Sequence, residues 1–294
     1  MDQQNQQIVL GLDGSPGSEA ALAWAIGLGG ALGRIQPVIA WHYPWWSVSV
    51  PALGSPMPPS AEHLDQQARR LVDSMVADLD EALYLEPVVA RSVASAAILE
   101  VASDGSIIAV GTHGRGGALR GLLGSVSHQV VNRATVPVAV VPQEAATIGL
   151  DSFVVGIDGS AQADEAAAWA IRHANAGADI HLVNAWTFEA LGVPELEESV
   201  LARLEVQAQE VVGATLHRLR DMVDEAAFER VKVRSSTPRG DTREVLRSAA
   251  GDESILVVGA RGRGGLAHTF LGSVATSLVH RPETVTIVVH SSKR

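Results

Sequence analysis

The chain has 294 residues and no cysteine, which excludes disulfides, thiolate catalysis and cysteine-based zinc sites. A hydrophobic fraction of 47% and a charged fraction of 19% are typical of a folded protein with substantial cores. The formal net charge of −11 argues against general nucleic-acid binding, which needs a positive surface. Backbone N–H groups can nevertheless bind a small anion inside an acidic protein.

The sequence also bears on where the protein works. No apolar stretch approaches the roughly 20 residues that span a bilayer. The first residues, MDQQNQQ, lack the basic and apolar regions of a secretory signal peptide. We therefore expect no membrane insertion and a cytoplasmic location.

Two blocks of the sequence occur twice. Ile8–Ile26 recurs as Phe153–Ile171, with 10 of 19 aligned residues identical, and Ile107–Val126 recurs as Ile255–Val274, with 11 of 20 identical. The offsets of 145 and 148 residues indicate a duplicated domain, since solenoid repeats have periods of about 20–50 residues.

The duplication predicts two domains, residues 1–143 and residues 152–294. The stretch Gln143–Ser152 lies between apolar runs and reads as the linker. A chain of this length suits two domains of ordinary size.

Short apolar runs alternate with longer amphipathic ones in both halves. Runs of β-branched residues bounded by Gly or Asp are typical of buried parallel strands. The predicted strands are Ile8–Leu12, Ile35–Trp41, Pro87–Val93, Ile107–Gly111 and Val136–Val141, then Phe153–Ile157, Ile180–Trp186, Arg230–Ser236, Ile255–Gly259 and Thr284–Val289.

Helical patterns separate the predicted strands. Ser15 is a candidate N-cap with Pro16 at the first helical position, and apolar residues at helical spacing predict a helix over Ala61–Leu85. Alternating strands and helices imply an α/β fold of two tandem doubly wound domains. Each would be a five-stranded parallel sheet with helices on both faces.

One long segment, Tyr43–Ser60, is irregular. It is rich in proline and contains Trp45 and Trp46, so we predict a surface loop or a lid beside the second strand. The two tryptophans either form a partner-binding patch or pack back on their own domain.

Glycines cluster after the fourth strand of each half. In the first half Gly111 and Gly114 are followed, nine residues later, by Gly124-Ser125 at the start of a new helical pattern, and the second half keeps this spacing. Glycines let a backbone approach a ligand closely and adopt positive φ. Consecutive N–H groups and a helix N-terminus then favour an anion such as a polyphosphate.

Two common phosphate motifs are excluded. A P-loop needs GxxxxGK[ST], but the only lysines are Lys232 and Lys293, and neither lies in a glycine loop. A dinucleotide-binding fingerprint needs GxGxxG after the first strand, where this chain has GLDGS.

The pattern G-x-x-G, nine residues, G-[ST], together with G-x-D-x-S after the first strand, resembles the ATP-binding class of the universal stress protein family. The resemblance covers both halves, as in tandem-domain actinobacterial members. It implies a strand order of 3-2-1-4-5, with a ligand crevice where the order reverses beside strand 1. It also implies ATP as the ligand and leaves room for Mg²⁺ with the phosphates.

The same resemblance implies the site residues. The Asp side chains would face the ribose, the residues ending strand 2 would contact adenine, and the glycine loop would hold the phosphates, with Arg115 and Arg263 neutralising charge. Arg261 in place of His113 would make the second site more cationic. The first site would comprise Gly11, Asp13, Ala40, Trp41, Gly111, Thr112, His113, Gly114, Arg115, Gly116, Gly117, Gly124, Ser125 and Val126. The second would comprise Gly156, Asp158, Ala185, Trp186, Gly259, Ala260, Arg261, Gly262, Arg263, Gly264, Gly265, Gly272, Ser273 and Val274.

Several of these residues have a purely structural alternative. The two Asp residues could order the turn, and Ser125 and Ser273 could be plain N-caps. Trp24 and Trp169 lie on the helix stripe and are expected in the core.

The predicted last strands bear on assembly. In the family the last strand follows a proline and often pairs across a dimer interface. The first half has Pro137, but the second has its proline displaced to Pro282, so its interface is the less regular one.

The favoured function is a regulatory ATP-binding protein of stress response or growth, with at most slow ATPase activity because no catalytic lysine or dedicated general base is evident. Two alternatives stay open. One is a slow hydrolase or nucleotidyl-transfer enzyme on the same scaffold, and the other is a protein-interaction scaffold with incidental nucleotide. The protein partner is unidentified, and a homodimer is one candidate assembly. We expect Gly111→Ala and Gly259→Ala to lose one nucleotide site each without unfolding.

Overall fold

The computed structural model describes residues 6–43, 59–114, 123–145, 147–188, 194–263 and 271–290. The predicted loop tryptophans Trp45 and Trp46 lie outside these ranges. The strands are β1 Gln7–Gly11, β2 Arg34–Ala40, β3 Val88–Ala90, β4 Ile107–Gly111, β5 Val138–Val141, β6 Ser152–Gly156, β7 Asp179–Val183, β8 Lys232–Ser236, β9 Ile255–Gly259 and β10 Thr286–Val289. The helices are α1 Pro16–Gly27, α2 Ala61–Val76, α3 Ala94–Val101, α4 Ser125–Arg133, α5 Ala161–His173, α6 Pro194–Met222, α7 Glu225–Glu229, α8 Thr242–Ala250 and α9 Ser273–His280.

All ten strands form one sheet in the order β3-β2-β1-β4-β5-β10-β9-β6-β7-β8. Each half is parallel and has the expected order 3-2-1-4-5, so the doubly wound α/β prediction is confirmed. The halves join through one antiparallel pair, β5 with β10, in which Ala139 lies opposite Ile287. The last strands therefore pair with each other inside the chain.

The two halves run in opposite directions along this sheet. Because β5 and β10 are antiparallel and each half is internally parallel, the strands of the two halves run in opposite directions. The carboxyl ends of β1 and β4 therefore lie at one end of the strands, and those of β6 and β9 lie at the opposite end. Ligands of open parallel sheets bind at carboxyl ends, beside the point where strand order reverses. The two candidate crevices consequently open at opposite edges of the molecule.

Two helical layers cover the sheet. The helices α1, α2, α5 and α6 pack on one face around Trp24, Phe153 and Leu219, all fully buried. The helices α3, α4, α8 and α9 pack on the other face around Val130 and Leu246. The central strands β4, β5, β9 and β10 are buried on both faces, as their continuous apolar runs predict, whereas the edge strands β3 and β8 are partly exposed. Within the described ranges, no helix is long and apolar enough to cross a membrane.

The helix predicted over Ala61–Leu85 was too long, because α2 ends at Val76. The residues after it are needed in the sheet. Leu83 accepts a hydrogen bond from the N–H of Ile35, and Leu85 donates one to the carbonyl of Ile35. These pairs extend the β2 edge, so the chain cannot remain helical there.

The linker is held by the first half at Ile148 and by the second half at Leu150, whose carbonyl accepts a hydrogen bond from the N–H of Asn175. Its residues Ile148 and Leu150 are buried, and the buried Trp24 indole donates a 3.0 Å hydrogen bond from Nε1 to the carbonyl of Ile148. Trp24 and Trp169 both lie in the core, as expected, but Trp169 stacks on His173 instead. Trp24 thus anchors the segment that connects the two halves.

We expect Trp24→Phe to loosen the linker. The substitution leaves the Ile148 carbonyl without its donor, and a buried unsatisfied group costs about 1–3 kcal/mol. Limited proteolysis should then cut the linker faster, and the free energy of unfolding should fall. Trp169→Phe is the matched control and should leave linker cleavage unchanged. Equal cleavage of the linker in the wild type and Trp24→Phe would contradict the anchoring role.

A partly buried histidine connects the two halves. His290, just after β10, donates a 2.8 Å hydrogen bond from Nε2 to the carbonyl of Val131 in α4. Burial lowers the pKa of His290, and the positive charge of Arg261 lowers it further. The folded protein therefore holds this imidazole neutral at pH values where the unfolded chain begins to protonate it.

Acidification should weaken the fold through this group. Because the folded pKa of His290 lies below the unfolded value of about 6.5, the unfolded state binds more protons and stability falls as pH drops through that value. We expect urea titrations between pH 7.5 and 5 to show a shallower decline for His290→Gln. The exposed His217→Gln control should keep the wild-type decline. An unchanged decline in His290→Gln would contradict this assignment.

Candidate functional site

The turn after the first strand of each half is held by an Asp side chain. Asp13 Oδ1 accepts a 3.0 Å hydrogen bond from the N–H of Ser15, and Asp158 Oδ1 accepts a 2.9 Å bond from the N–H of Ser160. The glycine between each pair has positive φ, 70° at Gly14. The Asp residues therefore do order the turn, the structural alternative raised by the sequence.

The glycine loop after the fourth strand converges on the same Asp residues. A Cβ placed on Gly114 would lie 2.6 Å from Asp13 Oδ2, so a larger residue would have to displace this carboxylate. In the second half the N–H of Arg263 donates a 2.8 Å hydrogen bond to Asp158 Oδ2. The strand 1 turn and the strand 4 loop are thus adjacent in both halves, as the switch-point geometry predicts.

Gly111 has a packing role that the sequence did not predict. A Cβ on Gly111 would overlap the backbone oxygen of Gly17 in α1, and a Cβ on Gly17 would overlap the carbonyl oxygen of His113. Gly111 and Gly114 also have no positive φ. These glycines let the first turn of α1 pack backbone to backbone against β4, and Ser15 Oγ adds a 3.1 Å hydrogen bond to the His113 carbonyl.

In the second half the first helix approaches the fourth strand in the same way, but different side chains make the contact. A Cβ on Gly259 would lie 2.8 Å from the carbonyl oxygen of Gln162, which occupies the position of Gly17. The Gln162 side chain accepts a 2.5 Å hydrogen bond at Oε1 from the N–H of Arg261. Gln162 thereby replaces the contact that Ser15 makes with the loop of the first half.

The predicted site glycines at the end of strand 1 pack against helices on the second face of the sheet. A Cβ on Gly11 would overlap the side chain of Ile98 in α3, and a Cβ on Gly156 would lie 3.0 Å from Leu246 Cδ1 in α8. These two glycines therefore allow α3 and α8 to pack closely on the sheet, and their ligand contacts stay a prediction.

The helices that follow the glycine loops begin without a side-chain cap. Their N-caps are Gly124 and Gly272, and neither makes a side-chain capping hydrogen bond. Ser125 and Ser273 are the exposed first helical residues, not the N-caps. By contrast, α1 and α5 are capped by Ser15 and Ser160. Within the part of the chain that the structure describes, no N-cap side chain takes up the first N–H groups of α4 and α9, and these groups with the positive dipole end are what attracts an anion.

Backbone hydrogen bonds position these two helix starts. The N–H of Gly124 donates a 2.7 Å hydrogen bond to the carbonyl of Thr112, and the N–H of Gly272 donates a 2.8 Å bond to that of Ala260. Ser127 Oγ donates a further 2.6 Å bond to the carbonyl of Gly111. Each loop therefore returns to the end of its own strand.

The far wall of each crevice is the end of strand 2. The N–H groups of Trp41 and Trp186 are committed to neighbouring backbone carbonyls, at Ala90 and Pro238. The Trp41 indole donates a 2.8 Å hydrogen bond to Asp65 Oδ1, and Arg91 pairs with the same carboxylate. The Arg91 hydrogen bond lowers the pKa of Asp65, so this wall carries a fixed ion pair.

The Trp186 wall is built differently. Its indole donates a 3.0 Å hydrogen bond to the carbonyl of Thr237. The predicted contacts Ala40 and Ala185 adjoin the two tryptophans, and Val126 and Val274 pack partly buried on the α3 and α8 face.

Part of the predicted site lies outside the described residues, namely Arg115, Gly116, Gly117, Gly264 and Gly265. Sequence reasoning missed Gly17, Gln162 and the bond from Ser15 to the loop. Their only signal was position, since all three lie in the first turns of the helices that follow the duplicated G-x-D-x-S motif.

Comparisons with protein families, with related sequences and with solved structures all give universal stress proteins. A family model described as the universal stress protein family matches residues 4–142 and 150–290. The universal stress protein Rv2005c of Mycobacterium tuberculosis is 30% identical over 299 residues, covering 97% of both chains. Rv2623 from the same organism is 28% identical over 296 residues, covering 97% of this chain and 96% of its own. A universal stress protein from Archaeoglobus fulgidus shares the fold at a TM-score of 0.63 and 18% identity, covering 99% of this chain and 100% of its own.

The glycine packing changes the expected result of Gly111→Ala. The new methyl group would overlap the backbone of α1, so we now expect the free energy of unfolding to fall by about 1–3 kcal/mol or more. Gly27→Ala is the matched control, since nothing lies within 4 Å of its Cβ and alanine favours the helix. Urea unfolding measures both. A Gly111→Ala protein as stable as the wild type would show that this contact is not tight.

Proposed function

This chain belongs to the universal stress protein family, and we propose that it binds ATP, one molecule in each half, and acts as a regulator of stress response or growth. The observation that carries the proposal is the pair of uncapped helix N-termini at α4 and α9, each beside a glycine loop. Free N–H donors and a helix dipole are what a phosphate group requires.

The geometry around each helix start supports a polyphosphate. The loop backbone approaches the strand 1 turn so closely that Gly114 and Gly262 leave no room for a Cβ beside Asp13 and Asp158. In this proposal the Asp carboxylate and the N–H groups of the helix start belong to one crevice. A nucleotide could then place its sugar hydroxyls on the carboxylate side and its phosphates on the N–H side.

The two sites of the proposal differ in charge. Arg261 and Arg263 adjoin the second loop, whereas the first has His113 where the second has Arg261. Coulombic attraction would favour the more highly charged phosphate chain in the second crevice. Among the described residues, no three His, Asp or Glu side chains cluster in a way that could hold a metal ion. In this proposal any Mg²⁺ accompanies the phosphates.

Ser125→Asp tests the phosphate position without removing packing. An Asp at the first helical position suits the helix dipole, so the fold should be retained, while its negative charge should repel phosphate. We expect isothermal titration to fall from two ATP per chain to one in Ser125→Asp and to none in the double variant with Ser273→Asp.

Two control variants sharpen this test. Ser125→Ala should retain the site, because the main donors are backbone N–H groups. Ala61→Asp places the same charge at the first residue of α2 and should leave ATP binding unchanged. Two ATP per chain in the double variant, with wild-type affinity, would contradict the proposed site.

A further inference from the structure

An open groove lies between α1 and α2 in the first half. Its volume is about 420 Å³, within the range of about 300–1,000 Å³ typical of small-ligand pockets. The lining includes Leu22, Ile26, Leu71 and Met75, with the carboxylate of Glu19 among them. Among the described residues, Glu19 makes no ion pair and is exposed.

The second half shows what occupies the equivalent space there. Asp164 stands in α5 at the position of Glu19 in α1, by the offset of 145. Its carboxylate is almost fully buried and binds Arg218 of α6 in a bidentate manner, Nε at 2.5 Å and Nη2 at 3.1 Å. Thr215 donates a further 3.1 Å hydrogen bond to the same carboxylate.

The two helices opposite these carboxylates can be aligned by burial. Residues 71–76 of α2 and residues 218–223, at and just past the end of α6, have the same sequence of buried, half-buried and exposed positions, and both stretches end in Met-Val. This alignment places Leu71 where the second half has Arg218. The first half therefore keeps the carboxylate of the pair but lacks its guanidinium.

The two halves also differ in how closely the paired helices approach, α1 and α2 in the first half and α5 and α6 in the second. Ala168 of α5 is fully buried beneath α6, whereas Ala23, its counterpart in α1, is exposed and lines the groove. A groove that combines apolar side chains with one carboxylate and the Ser74 hydroxyl suits a cation on an apolar stem, which can bury its methylene groups and pair its charge.

We propose that this groove binds an arginine side chain presented by a partner polypeptide. The apolar stem lies along Leu22, Ile26 and Met75, and the guanidinium pairs with Glu19. The Arg218–Asp164 pair of the second half is the reason for choosing arginine as the ligand. In that pair a guanidinium carried by a polypeptide binds the carboxylate equivalent to Glu19. Planar guanidinium matches a carboxylate bidentately, which an ammonium group cannot do.

The probe for this proposal is a capped pentapeptide with one central arginine among alanines. Its control is the same peptide with citrulline, which keeps the shape and loses the charge. In NMR titrations of the full-length protein, the arginine peptide should shift resonances of α1 and α2 and bind at least tenfold more tightly than the citrulline peptide.

Variants locate the binding site. Glu19→Gln should remove the preference for arginine, whereas Asp73→Asn, an exposed carboxylate change on α2, should preserve it. Leu71→Arg should place a guanidinium beside Glu19, as Arg218 does beside Asp164 in the second half, and so block the peptide. Equal affinity for the two peptides, no binding of either, shifts confined to other helices, or unchanged selectivity in Glu19→Gln would each overturn the proposal.

Discussion

The direct packing of the first helix of each half on its fourth strand is the constraint on which the rest of the structure depends. In the first half Gly17 and Gly111 bring two backbones together without intervening side chains. In the second, Gly259 makes the same approach to Gln162. This packing fixes the strand 1 turn against the strand 4 loop and so defines each crevice. Since the glycines are used for packing, anion recognition in the proposed site falls to the uncapped starts of α4 and α9.

Duplication and antiparallel joining together give the chain its symmetry. The buried pair β5 and β10 fuses two parallel halves into one sheet and directs the two crevices to opposite edges. The family resemblance suggested that a last strand could pair with a second chain. Here the last strands β5 and β10 pair with each other within one chain. The halves then differ where the sequence differs: Gln162 replaces Gly17, Arg261 replaces His113, and the Asp164–Arg218 pair closes a groove that stays open in the first half.

Much of this architecture could be predicted because it depends on local pattern. The runs Ile107–Gly111 and Ile255–Gly259 form strands with the predicted bounds, since β-branched runs ended by glycine have few other solutions. The end of α2 could not be read the same way, because the pairing of Leu83 and Leu85 with Ile35 overrides helical periodicity. The roles of Gly11 and Gly111 were also hidden, since a glycine needed for packing and one needed for a ligand look identical in sequence.

A crystal structure of the protein grown with ATP and Mg²⁺ would test the central claim most directly. The account predicts two nucleotides per chain, at opposite edges of the sheet. Their phosphate oxygens would lie within hydrogen-bond distance of the backbone N–H groups of Ser125 and Val126 in one half and of Ser273 and Val274 in the other. Nucleotide bound elsewhere, or crevices that stay empty at saturating ATP, would contradict it.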